Sequence, residues 1–141
     1  MNKQQLEEKV QQILDKNQIG TLASIKDNKP FSRYMTFFHE EGFHLYSATD
    51  KDTHKVEDLQ ENDQVHILIG YENKGLNDTY LEIEGKAKVK DSNDVKQMVW
   101  NDDLEPWFEG PDDPNYVVLD ITPSEIRLMN DADHQPHRLE L

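Results

Sequence analysis

Apolar residues recur at helical spacing at the start of the chain. Leu6, Val10, Ile13 and Leu14 share one face, with Glu7, Glu8, Lys9, Gln11 and Gln12 on the others. This predicts an amphipathic helix that ends near Asn17 and must lie on something. The period then changes. Ile19–Ile25 is rich in β-branched and small residues and reads as a strand, and Lys26–Lys29 has turn residues. Pro30 can begin a strand but cannot donate in the middle of one, so a central strand is expected from Phe31 to Phe38. A turn at Glu41-Gly42 returns the chain as Phe43–Thr49. Thr53 is placed to cap a short helix that buries Val56 and Leu59 and ends at Asn62-Asp63.

Two strands follow. Val65, Ile67, Ile69 and Tyr71 alternate with His66, Leu68 and Gly70; residues 72–78 then form a loop. The cleanest alternation sets Leu81, Ile83, Gly85, Ala87 and Val89 against Glu82, Glu84, Lys86 and Lys88. Its small residues allow curvature or close approach of another backbone. Asp91–Asp94 offers caps for another helix, with Val95, Met98 and Val99 inward and Trp100 at its end. Residues 102–114 are acidic and carry three prolines, which predicts a surface loop with a short helical turn. Tyr116–Ile121 is the last strong strand. Pro123 interrupts it and Ile126–Met129 can continue it; from Asn130 the polar tail is expected to be loose.

The predicted order is helix, three strands, short helix, two strands, helix, strand. Consecutive strands joined by tight turns imply a mainly β protein, an antiparallel meander closing into a small barrel with helices plugging or covering it. At 141 residues the chain fits one domain, taken as residues 1–130 with a tail at 131–141. Hydrophobic residues make up 35%, a lean core that leaves apolar surface for a partner. A formal net charge of -14 repels nucleic acid and anionic membranes. No apolar run approaches the roughly 20 residues that span a bilayer. The absence of cysteine excludes a disulfide scaffold, a thiolate zinc site and a cysteine nucleophile. The N-terminus opens an amphipathic pattern rather than a signal-peptide core, so cytoplasm is the default.

In so acidic a chain, a local meeting of cations is informative. Arg33 lies in one strand, Ser47 and Thr49 at the end of the next, and Thr53 and Lys55 at a helix start. Arginine matches phosphate oxygens with parallel donors, lysine adds a point charge, and a helix N-terminus favours the same anion. Together they point to a phosphate-bearing ligand. No catalytic triad has convincing spacing. His39, His44, His54 and His66 are scattered, and His134 and His137 sit in the tail without a frame for a metal. No catalytic side chain and no metal site are assigned. The acidic cluster from Asp102 to Asp113 lacks calcium-loop spacing, and no Gly-rich phosphate loop is present. Trp100 reads as a staple onto the core; Trp107 could be a staple or a flat lid over an aromatic ligand.

Ser32–Phe38, the strand ending Leu45-Tyr46-Ser47, the Thr53–Lys55 step and Tyr80–Gly85 resemble the pyridoxamine 5′-phosphate oxidase-like family, and Trp107–Pro114 before a final strand resembles its bacterial general stress protein branch. The resemblance covers about residues 2–129. It implies an FMN-binding split β-barrel with Greek-key-like antiparallel strands, peripheral helices and a homodimer with the cofactor at its interface. Arg33 would clamp the flavin phosphate. Thr53, His54 and Lys55 match the family's Ser-Arg-Lys phosphate step, with His54 where the oxidase has arginine, which weakens the clamp. Tyr34, Met35 and Thr36 would run along the isoalloxazine ring, with Tyr46 and Ser47 near the ribityl chain or phosphate. Tyr80 would approach from the other subunit, and Trp107 would cover the ring from across the interface. The implied function is a flavin-dependent oxidoreductase acting on a small-molecule redox substrate; the alternative is a non-enzymatic flavin-binding or redox-responsive stress protein. FAD or a deazaflavin could occupy the same groove. The segment that grips pyridoxal in the oxidase is missing, so oxidase activity is not carried over.

Overall fold

Helix α1 (Lys3–Lys16) starts with a capping box. The Asn2 side chain accepts from the Gln5 amide at 2.8 Å, and the Gln5 side chain accepts from the Asn2 amide at 3.0 Å. Leu6, Val10 and Leu14 are buried and enter the main core. The computed structural model describes every residue except Glu41 and Asn77, so the expected turn at Glu41-Gly42 lies partly outside the described residues. After α1 come β1 (Ile19–Lys26), β2 (Lys29–Thr36), β3 (Phe38–His39), β4 (Leu45–Asp50), α2 (His54–Glu61), β5 (Gln64–Ile69), β6 (Tyr80–Lys90), α3 (Asn93–Val99), a 3₁₀ turn at Asp102–Leu104, β7 (Tyr116–Met129) and β8 (His137–Glu140).

All strand pairs are antiparallel, in the order β2-β1-β5-β6-β7-β4-β3, with β8 beside the second half of β7. The order jumps at β1–β5 and at β7–β4, so it is Greek-key-like rather than a simple meander. The two ends of the order, β2 and β3, are consecutive in the chain and separated by Phe37 alone. The sheet must therefore curl until its edges meet. Phe37 is 2% exposed and its amide donates to the Gln18 carbonyl at 2.6 Å. Leu22, Leu45, Ile67, Leu81, Ile83, Ile121, Ile126 and Leu128 fill the interior with the α1 side chains. A second, smaller core lies under α3, where Val99, Leu104, Phe108, Tyr116 and Val118 pack together. The fold is a mostly antiparallel split half-barrel with three flanking helices.

Several local expectations change. β2 pairs only with β1 and is an edge strand, which is why Pro30 is tolerated inside it. The β1–β2 hairpin turns through Asp27 and Asn28, both at positive φ, as a two-residue loop demands. The expected long hairpin between residues 30–38 and 43–49 contracts to two pairs, Phe38 with Tyr46 and His39 with Leu45. Strand β5 stops before Tyr71, because Gly70 takes φ +108° and leaves Tyr71 63% exposed. A Cβ on Gly70 would lie 2.6 Å from the Ile13 side chain. Pro123 does not interrupt β7. The pairing with β6 shifts by one residue between Glu84 and Gly85, and Gly85 approaches so closely that a Cβ there would sit 2.7 Å from the Thr122 carbonyl. Helix α3 buries Lys96 and Val99 rather than Met98, which is 47% exposed. The tail is not loose: Leu139 is 2% exposed in β8 and belongs to the main core.

Candidate functional site

The seam where the sheet curls closed is open between β2 and β4. No ladder joins them; the Ser47 hydroxyl crosses it and donates to the Thr36 carbonyl at 2.7 Å. Ser47 is 1% exposed, so its hydroxyl is held in that one bond. Along this seam runs a groove of about 400 Å³. Tyr34, Met35 and Thr36 of β2 and Phe38 form one side, and Ser47, Ala48, Thr49 and Asp50 of β4 the other. Thr53 and Lys55 close one end, and Leu104, Trp107 and Phe108 supply a further wall.

Thr53 stands at the N-cap position of α2 but does not cap it with its side chain. Its hydroxyl donates instead to the Asp50 carbonyl at 3.0 Å. No side-chain hydrogen bond caps that start; the Val56 amide donates to the Thr53 carbonyl at 3.2 Å, which leaves the His54 and Lys55 amides for an outside acceptor. Lys55 lies in the same turn. Burial pushes its pKa below the ordinary lysine value, and the nearby positive charge of Arg33 pushes it the same way. Arg33 itself is half-buried and donates from Nη1 to the Leu22 carbonyl at 3.1 Å and to Ser24 Oγ at 2.8 Å. Both bonds use one terminal nitrogen. Burial lowers the Arg33 pKa and the buried Asp58 carboxylate opposes that shift. Lys55 thus brings a partly desolvated cation to the groove, with Arg33 beside it but outside the lining, a setting that favours an anion with several oxygens.

The aromatic walls differ in exposure. Phe108 is buried in the second core, while Trp107 and Tyr34 are 77% and 81% exposed and present their rings along the groove. Of the residues singled out in the sequence, Tyr34, Met35, Thr36, Ser47, Thr49, Thr53, Lys55 and Trp107 line the groove, with Arg33 next to Lys55. Trp107 lines the groove of its own chain. The structure does not bring Arg33, Tyr46, His54 or Tyr80 to that lining; the Arg33 guanidinium is turned onto β1. Tyr46 is stacked on His44 at 4.9 Å and packed against the second core. The His54 side chain is 90% exposed beside Glu57. Tyr80 sits edge-on to Tyr71 at 6.3 Å.

Sequence reading missed Phe38, Ala48, Asp50, Leu104 and Phe108, which also line the groove. Asp50 carried a local signal: it stands two residues before Asp52, whose amide its side chain accepts at 2.9 Å, a turn that leads into α2. The others carried none: Leu104 and Phe108 depend on the fold of the segment between α3 and β7, and Phe38 and Ala48 on the curl that brings β3 and β4 beside β2. The structure also contains a compact trio of Asp131, Asp133 and His137, but Lys9 already occupies Asp131 at 3.2 Å.

A curled antiparallel barrel with an open seam, a cation at one end of the seam groove and exposed rings along it, defines a split barrel with a ligand-sized groove. The chain belongs to the pyridoxamine 5′-phosphate oxidase family, whose pattern matches residues 6–130. Over its full length it is 48% identical to General stress protein 26 of Bacillus subtilis (strain 168), covering 100% of both chains. The crystal structure of General Stress Protein 26 from Bacillus anthracis str. Sterne superposes with a TM-score of 0.83 at 37% identity, covering 96% of this chain and 98% of that one. A pyridoxamine 5′-phosphate oxidase-related, FMN binding protein from Nostoc punctiforme shares the fold at a TM-score of 0.66 and 15% identity, with 95% of each chain covered. Among the described residues no helix is long and apolar enough to cross a membrane.

Proposed function

We propose that the seam groove holds FMN and that the protein is a cytoplasmic, homodimeric flavin-dependent oxidoreductase acting on a small-molecule redox substrate. The observation that carries this reading is Lys55 at one end of the groove, with Arg33 next to it behind the lining, and the exposed Trp107 and Tyr34 rings along it. The residues present fit the group. Lys55, Arg33 and the first turn of α2 would hold the phosphate, Ser47 and Thr49 would face the ribityl chain, and Tyr34, Met35, Thr36 and Trp107 would bracket the ring. A groove of about 400 Å³ falls in the range of about 300–1,000 Å³ that suits a small ligand. The bound flavin supplies the redox chemistry; the chain binds it, orients it and keeps water from one face. A second copy is supported by the exposed apolar side chains Ile19, Tyr34 and Leu68 on β1, β2 and β5. The cysteine-free composition supports a cytoplasmic setting.

A second reading is a flavin-binding protein without turnover. It is favoured by the groove lining, which among the described residues holds no histidine and no cysteine.

Titration with FMN, following flavin and tryptophan fluorescence, tests the first claim. Saturable quenching at one flavin per subunit is expected, with FAD and a deazaflavin as competitors. Replacing Arg33 and Lys55 with alanine should weaken FMN by at least about tenfold, since each charge-assisted contact is worth about 1.5–3 kcal/mol. Unchanged affinity would overturn the site. NADH oxidation that scales with flavin occupancy decides for turnover, and its absence decides for the passive reading. Light scattering after size exclusion at micromolar protein should give twice the 16.5 kDa chain mass; a monomer removes the dimer.

A further inference from the structure

Lys96 is a charged side chain of α3, yet it is only 6% exposed. Burying an ammonium is costly unless it is paired. Its Nζ donates to the Asp113 carbonyl at 2.9 Å and lies 5.4 Å from the centre of the Tyr116 ring. Tyr116 returns the contact, donating its hydroxyl to the Lys96 carbonyl at 3.0 Å. The same Asp113 carbonyl accepts from the Tyr116 amide at 3.1 Å.

Asp113 organises the segment before β7. Its carboxylate accepts from the amides of Glu109 at 3.0 Å and Asn115 at 2.9 Å, and its own amide donates to the Gly110 carbonyl at 3.1 Å. Those two amides hold the carboxyl below its ordinary pKa, and Lys96 adds to the effect. The Tyr116 ring packs on Phe108 at 5.1 Å and on Trp100 at 5.7 Å. Leu104 in turn accepts from the amides of Trp107 and Phe108, each at 3.0 Å. The contacts therefore run from the Lys96 ammonium through Asp113 and Tyr116 to the wall made by Leu104, Trp107 and Phe108. They lie in the second core, apart from the barrel interior.

We propose that Lys96 is a positioning residue for the ligand groove, acting through Asp113 and Tyr116 to hold the Leu104–Phe108 wall, and with it the exposed Trp107 ring, along the seam. This rests on the flavin-groove reading for its ligand but not for its structural arm. An apolar residue of the same length would fill the same space without fixing the segment, because only the ammonium can donate to the Asp113 carbonyl.

The test uses the full chain with Lys96→Met, Trp107→Ala and the double variant. Hydrogen exchange on the ligand-free proteins comes first. Lys96→Met should raise exchange over residues 104–116 by about tenfold or more and leave β5 and β6 within about twofold, since local opening reports the local contacts. FMN titration comes second. Lys96→Met should weaken FMN about tenfold in the native background and less than about twofold beside Trp107→Ala, the non-additivity expected when one residue acts through another. A role in general stability would cost the same in both backgrounds, and that result overturns the proposal. So does unchanged exchange over residues 104–116, or exchange raised evenly across the barrel. If the native protein ignores FMN, the flavin reading fails by itself and the exchange arm decides Lys96. Should Lys96→Met not fold, Lys96→Gln, which is too short to keep the ammonium's bond to the Asp113 carbonyl, carries the same pair of measurements; an effect confined to residues 104–116 supports the proposal and no effect overturns it.

Discussion

Ser47 Oγ lies 2.7 Å from the Thr36 carbonyl, and this hydrogen bond spans the seam between two strands that no ladder joins. It makes the groove possible. A ladder here would fill the seam with backbone contacts, and no bond at all would let β2 and β4 part. The side chain that fixes the groove's width also lies on its surface.

Ser47→Ala should therefore cost more than its single bond. The Thr36 carbonyl loses its partner, and stability should fall by about 1–2 kcal/mol, or about 4–8 °C in Tm. Thermal unfolding measures this. An unchanged Tm would mean that water replaces the hydroxyl and that the seam does not depend on it.

Lys55 should trade stability for binding. Its pKa is lowered in the fold by burial first and by Arg33 second, so the protonated form is disfavoured there relative to the unfolded chain. That penalty is fully present below the folded pKa and is relieved as pH rises through it. Between the folded and the ordinary value the unfolded chain binds more protons, so stability rises with pH in that window. Lys55→Met should raise the Tm of the ligand-free protein at neutral pH, flatten the rise at alkaline pH, and abolish the stabilisation that inorganic phosphate or FMN gives the native chain. Calorimetry across pH with and without phosphate reads all three. A lower Tm for the variant would show that Lys55 is paired rather than strained.

Gly85 tests the close approach between β6 and β7. An added Cβ meets backbone on the opposite strand, the Thr122 carbonyl at 2.7 Å and Pro123 Cα at 3.2 Å, so no side chain can swing away to make room. Gly85→Ala should destabilise by about 1–3 kcal/mol in chemical denaturation. A neutral result would place the shifted pairing elsewhere.

Leu139 tests the tail. It is 2% exposed in β8, within the main core and next to α1. Leu139→Ala should cost about 2–4 kcal/mol, the range for a buried leucine whose cavity closes only in part. A change of a few tenths would return the tail to the loose state its composition suggests.

The sequence by itself determined the elements whose periodicity is strong. The α1 face of Leu6, Val10 and Leu14 and the β6 alternation from Leu81 to Ala87 are each buried as spaced, because one side of a helix or strand must leave water together. It also determined that Thr53 and Lys55 stand at a helix start, since that depends only on local order; Arg33, in β2, comes beside Lys55 only through the fold. It could not determine which strands are neighbours. The expected hairpin between β2 and β4 became an open seam because β5 takes the place beside β1 and β7 the place beside β4, and both choices depend on contacts far apart in the chain. Nor could it find β8, whose one apolar side chain, Leu139, is a strand signal only once β7 offers an edge. The same holds at the groove. Tyr46 and Ser47 are adjacent in sequence and equally plausible ligands, but Ser47 reaches across the seam to the Thr36 carbonyl while Tyr46 packs on His44 and the second core, and only the tertiary structure decides between them. Lys96 shows the limit most plainly: an ordinary surface lysine in sequence became a buried tether because tertiary packing set the Asp113 carbonyl and the Tyr116 ring around it.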